Sequence, residues 1–237
     1  MGVEVRSHRG PEKDVLKFPV ERIEISKLVP HEQTIPHELD WFIKNVKDSE
    51  HLVWPLLVGR ENFLILDGHH RAAGLKSLDY TYVPAILIDY MDDELIQLDT
   101  WYPNIHHQVA VVLEKLQEAD LVIEDIDPSE FDRNRLNTRN ITAFVGNTTQ
   151  LYAIRGERER IFSVLKEHWI DDITYYDDPQ MCMERTDTEH TAVVAWSYTK
   201  EEILQQVKAG MVHLPKTTRH TLKYRVPECN YPLEDLK

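Results

Sequence analysis

The chain has 237 residues, 42% of them hydrophobic with five tryptophans, which is enough to bury a substantial core in one large domain or two small ones. Its 41 acidic residues outnumber 27 basic ones for a formal charge of −14, which argues against a broad nucleic-acid surface, since duplex binding rests on clustered lysine and arginine neutralising phosphates. Two cysteines, Cys182 and Cys229, offer neither zinc spacing nor a framework of bridges, and no apolar run is long enough to span a membrane, so a cytoplasmic location is expected.

Met1 to Gly10 carry no apolar signal region, and Met1-Gly2 alone is too little to mark lipidation. The Asn-x-Thr triplets at Asn140 and Asn147 then read as chance. Val20 to Leu28 predicts a strand. Pro36 stands where a helix can begin, and Leu39, Phe42, Ile43 and Val46 follow at the i, i+3, i+4, i+7 spacing of a buried face. Two short strands, Pro55 to Val58 and Asn62 to Leu66, flank a turn at Gly59-Arg60-Glu61, and after a helix over His69 to Leu78 a further strand runs from Tyr82 to Asp89.

The second half alternates in the same way. Val109, Val112, Leu113 and Leu116 mark an amphipathic helix, with His106-His107 at its start facing solvent, then Leu121 to Glu124 and Ile141 to Val145 read as strands around a charged loop at 125–139. A hairpin across Gly146-Asn147 returns through Gln150 to Ile154. A helix over Glu157 to Trp169 and strands at Ile173 to Tyr176 and Ala192 to Tyr198 follow. The last helix has Thr199 and Glu202 as a capping box and Gly210 as its stop.

The most informative segment is Leu64-Ile65-Leu66-Asp67-Gly68-His69-His70-Arg71, an apolar strand that stops on glycine and opens a helix. Free N–H groups at a helix start favour an anion. Arg71 falls on the same arc as Ala72, Leu75 and Leu78, so a guanidinium points where a core residue belongs and needs an anionic partner. That partner is either Asp67, as a structural clasp, or a ligand phosphate, and the phosphate is the stronger expectation.

Val29-Pro30-His31-Glu32-Gln33 together with Asp67-Gly68-His69-His70-Arg71 resembles the ParB/sulfiredoxin superfamily, whose members set such a turn against nucleotide phosphates. Thr100-Trp101-Tyr102-Pro103 and Pro215-Lys216-Thr217-Thr218-Arg219-His220 narrow the resemblance to the free L-serine kinases of that superfamily. The four motifs occur in order from residue 29 to 220. The resemblance implies an α/β (α+β) fold, with a ParB/sulfiredoxin-like nucleotide-binding domain over 15–98 and a mixed α/β domain over 99–237 that contributes the serine pocket.

The chemistry implied is phosphoryl transfer from ADP or ATP to the hydroxyl of L-serine, giving O-phospho-L-serine, with cysteine synthesis as the expected use. Glu32 in the Pro-His-Glu-Gln segment would take the hydroxyl proton, and Asp67 would either contact Mg2+ or pair with Arg71. Gly68, His69, His70 and Arg71 would bind the phosphates, with Val46 and Trp54 as further nucleotide contacts. Thr100, Trp101, Lys216, Thr217, Thr218, Arg219 and His220 would form the serine pocket, arginine binding carboxylates in bidentate fashion. The chain departs from the resemblance at Lys47 to Val53, where a smaller glycine-containing loop is expected to close over the nucleotide. A ParB-like nucleotide-binding regulator or DNA-binding protein is the alternative, and a sulfiredoxin-type reductase a third; the latter needs a reactive cysteine where His69 stands.

Overall fold

The computed structural model describes residues 4–6, 14, 15 and 17–237, with backbone alone for 4–6. The reading of Met1-Gly2 lies outside the described residues, as does that of the first ten apart from this backbone. The chain divides into two compact units, one of 10–99, 199–215 and 220–237, the other of 1–9, 100–198 and 216–219. This differs from the two consecutive domains expected from sequence. Apolar burial accounts for the place of the C-terminal residues: Leu233 and Leu236 are part of the core that Leu56, Val58, Leu75 and Val83 build in the first unit. No helix among the described residues is long and apolar enough to cross a membrane.

The first unit is a mixed sheet in the order Glu21–Glu24, Tyr82–Ile88, Leu56–Gly59, Ile65–Asp67. Leu56–Gly59 runs parallel to Tyr82–Ile88 and antiparallel to Ile65–Asp67. Helix Pro36–Lys47 begins at its proline as expected, but Val46 is its only fully buried side chain. The strand expected over Val20 to Leu28 is cut short, because Ile25–Lys27 turns into a 3-10 helix. The helix after Gly68 runs from His69 to Ser77.

The other unit is a seven-stranded sheet among the described residues, ordered Glu4–Arg6, Ile173–Tyr176, Tyr102–Ile105, Thr191–Ala195, Ala143–Gly146, Leu151–Arg155, Val122–Ile126. Its hairpin Ala143–Gly146 with Leu151–Arg155 forms where Gly146-Asn147 marks the turn, the Asn147 side chain accepting the amides of Thr149 and Gln150. Helices Val109–Glu118 and Arg158–Trp169 match the apolar spacing; Lys200–Lys208 of the first unit does so too, with the capping box of Thr199 and Glu202 formed. His106-His107 precedes its helix, and the His106 ring bonds Thr174 Oγ1 at 2.9 Å. Sequence reasoning missed the internal strand Tyr102–Ile105, since proline and asparagine speak against one. The buried Asn104 amide is satisfied there by donating to the carbonyls of Cys182 and Arg185.

Candidate active site

The phosphate-type turn is built as its sequence requires. Gly68 has φ +106°, and a Cβ there would stand 2.8 Å from Leu56 and 3.0 Å from the Arg71 guanidinium. Only glycine meets both demands. Arg71 folds back over this glycine, donating from Nη2 to Asp67 Oδ2 at 2.7 Å and to the Pro55 carbonyl at 3.3 Å. Its Nε is buried without a hydrogen-bond partner among the described residues. The pairing of Arg71 with Asp67 is thus formed, and its Nε lies at a helix start.

The rings of His69 and His70, expected among the phosphate contacts, accept backbone amides. His69 Nε2 accepts the amides of His31 and Glu32, each at 3.3 Å, and His70 Nε2 accepts the amide of Ile35 at 2.9 Å. A ring nitrogen that accepts an N–H carries no proton, so the 3.4 Å approach of His70 Nε2 to Glu38 is not an ion pair. His69 is held well below the ordinary histidine range by burial and by the neighbouring His31, His220, His70 and Arg71. Burial also lowers His31 to about 4, against a smaller raising contribution from its backbone hydrogen bond at Ile65.

His220, expected to grip serine, stands in this neutral cluster. Its ring lies edge-on to His31 with centroids 5.3 Å apart and bonds the Tyr90 hydroxyl at 3.1 Å. Desolvation and then His31 push its pKa well down, Lys200 adding a smaller contribution.

Glu32 sits half-buried on a segment pinned along both edges. The Val29 amide donates to Phe63 O, the His213 amide to His31 O, and the Gln33 amide to His213 O. Val46, expected as a nucleotide contact, packs into the apolar core at 5% exposure, whereas Trp54 is 42% exposed. The 47–54 segment is fixed by the chain's C-terminal residues: His51–Leu52 pairs with Tyr231–Pro232, the Cys229 amide donates to Val53 O, and the Leu233 amide to Glu50 O.

In the other unit, Thr100, Trp101 and Lys216 to Arg219 come together. Thr100 Oγ1 donates to Thr217 O at 3.0 Å, and Thr217 and Thr218 are buried. Trp101 has two cations over its ring, Arg219 at 5.2 Å and Lys216 at 5.7 Å. Arg219 Nη2 donates to Asp177 Oδ2 at 2.9 Å, a partner the sequence did not reveal. Also missed was Arg158, whose Nη2 donates to Thr100 Oγ1 at 2.8 Å and Thr217 O at 3.0 Å while Nε donates to Trp196 O at 2.9 Å. A signal existed. Arg158 shares the helical arc of Ile161, Phe162 and Leu165, all buried, the same anomaly that singled out Arg71.

No family model matches the chain. It is 33% identical over the full length of both chains to the ADP-dependent L-serine kinase of Thermococcus kodakarensis. The chain belongs to the L-serine kinase family. An ATP-dependent L-serine kinase of Staphylothermus marinus is 31% identical over 91% of this chain and 90% of its own. A solved free serine kinase in complex with AMP, carrying a glutamate-to-alanine substitution, superposes with a TM-score of 0.85 at 28% identity over the whole of both chains. A shorter stretch, 35% of the chain, is 31% identical to a ParB-like protein of Sulfolobus acidocaldarius covering 41% of that protein, in keeping with a ParB-like fold. Within the L-serine kinase family the reductase alternative also loses its thiol: burial raises Cys182 and Cys229 above the ordinary cysteine range, and neither lies in the phosphate turn.

Proposed function

We infer that this protein is a free L-serine kinase that moves a phosphoryl group from ADP or ATP to the hydroxyl of L-serine, giving O-phospho-L-serine. The observation that carries the reading is the full-length 33% identity to an L-serine kinase, and the glycine turn with the spare Arg71 donor supplies chemistry that suits it. The non-catalytic regulator has no comparable support.

Phosphoryl transfer asks little covalent chemistry of a protein; it asks for positioning, charge neutralisation and a late proton acceptor. In the proposed division of labour, Gly68 lets the donor phosphates approach the backbone, and the helix-start amides of His69, His70 and Arg71 bind phosphate oxygens together with Arg71 Nε. Trp54 offers an aromatic surface to the nucleotide. Glu32 accepts the serine hydroxyl proton. Trp101 walls the serine side chain and Arg219 pairs with the carboxylate, with Lys216, Thr217 and Thr218 beside them and Thr100 holding Thr217 in place. His220 acts from the histidine cluster.

Mg2+ is part of the proposal. Among the described residues no group of three or more His, Cys, Asp or Glu is arranged to hold a metal by itself, and Mg2+ suits so sparse a donor set because it retains waters and takes phosphate oxygens. Asp67, whose side chain is 60% exposed, would be its protein contact, and the ion would neutralise phosphate charge. A cytoplasmic site of action fits a nucleotide substrate and two free cysteines, and cysteine synthesis is the proposed use of the product.

The test is direct. Purified protein with Mg2+, L-serine and separately ADP or ATP should form O-phosphoserine with at least one donor, which also settles the donor; formation with neither overturns the reading.

A further inference from the structure

The loop that carries Glu32 has an unusual hydrogen-bond account. The amides of Val29 and Gln33 are taken by backbone carbonyls, whereas those of His31, Glu32 and Ile35 are taken by imidazole nitrogens from the helix after the phosphate turn. His69 Nε2 serves two consecutive donors at once, in a three-centre arrangement directly at the residue proposed as proton acceptor. We propose that His69 is a positioning residue for Glu32, a neutral imidazole latch that couples the phosphate turn to the proton-accepting loop, and that its ring is not a phosphate ligand. His70 does the same for Ile35 at the far end of the loop. The inference rests on Glu32 being the proton acceptor.

The geometry explains why histidine is used. Its Nε2 reaches four bonds beyond Cα, and the ring stays neutral because burial and neighbouring rings disfavour protonation. Glutamine places Oε1 at the same number of bonds and offers the same acceptor. Alanine removes it, and a misplacement of about 1 Å at a reacting group costs on the order of 100-fold.

Three variants and their combination decide it. His69→Ala should lower kcat by ~10- to 100-fold while the Kd for ADP changes less than ~3-fold, and His69→Gln should recover most of the loss. In the Glu32→Gln background, adding His69→Ala should cost no further rate, because the latch acts only through Glu32. Amide exchange at His31 and Glu32 should accelerate in His69→Ala and return to normal in His69→Gln. A Kd for ADP that rises as much as kcat falls, or a double variant slowed by the product of both effects, overturns the proposal. If Glu32→Gln is fully active while exchange still responds to His69, the latch stands and the base assignment alone fails.

Discussion

The phosphate turn and the threonine-arginine cluster around Thr217 solve the same problem, holding polar groups at fixed places, by opposite means. The turn is contiguous: Asp67 to Arg71 needs one glycine at φ +106° and one arginine folded over it. The cluster is assembled from segments around residues 100, 158, 196 and 217, gathered by the buried Arg158 guanidinium together with the Thr100–Thr217 hydrogen bond. A contiguous site fails through its backbone, and a discontinuous one fails through its connector. The turn's side chains are also proton-sensitive where the connector is permanently charged.

The contrast is most exposed to attack at Arg158. Arg158→Met keeps packing against Phe162 but removes the guanidinium hydrogen bonds to Trp196 O, Thr100 Oγ1 and Thr217 O, so unfolding free energy should drop by roughly 3 kcal/mol, measured by urea melts. A loss under ~1 kcal/mol would mean the cluster does not depend on its connector.

Acid should single out the other region. His31 titrates at about 4 in the fold against about 6.5 unfolded. Above pH 6.5 both states are neutral and nothing changes. Between 6.5 and about 4 the unfolded chain binds the proton and the folded one does not, so stability falls as pH falls, by on the order of 3 kcal/mol from His31, levelling off below about 4. His69 and His220 push in the same direction. Hydrogen exchange at pH 5 should therefore quicken around residues 29–35 and 64–78 before it does around 143–155; the reverse order would remove the contrast.

Glu32→Gln should reduce kcat by at least ~100-fold with nucleotide affinity largely intact, read in a steady-state assay of O-phosphoserine alongside calorimetry with ADP. Unimpaired turnover sinks the assignment.

Smaller effects compare Arg71 and Arg219, each of which is paired with an aspartate. Arg71→Ala should weaken nucleotide binding by at least ~10-fold, since a charge-assisted contact is lost; equal affinity with earlier melting would make the Asp67 pairing purely structural. Arg219→Ala should raise the KM for L-serine by ~10-fold with less change for nucleotide. Because Arg219 already pairs with Asp177, an unchanged KM would mean that its guanidinium serves the fold and not the serine carboxylate.

How far each region was legible follows from the same contrast. The strand, glycine and helix start at 64–78 were readable because Gly68 answers a local backbone demand, and Arg71 stood out against an apolar arc. Gly146-Asn147 and the Thr199 to Glu202 capping box were readable for the same reason: their hydrogen bonds close within a few residues. Tyr102–Ile105 was not, because Pro103 and Asn104 are tolerated only by what Cys182 and Arg185 supply from far along the chain.

By itself the sequence determined the local elements and the glycine turn at Gly68, since these depend on short-range sterics, periodicity and hydrogen bonding, and through four ordered motifs the kinase resemblance. Tertiary structure alone decided that His69 and His70 serve the Glu32 loop as acceptors, that Val46 belongs to the core, that residues 229–233 fix the 47–54 segment, and that Arg158 gathers Thr100 and Thr217. Each of these rests on a partner dozens of residues away, where chain connectivity carries no information about which donor will meet which acceptor.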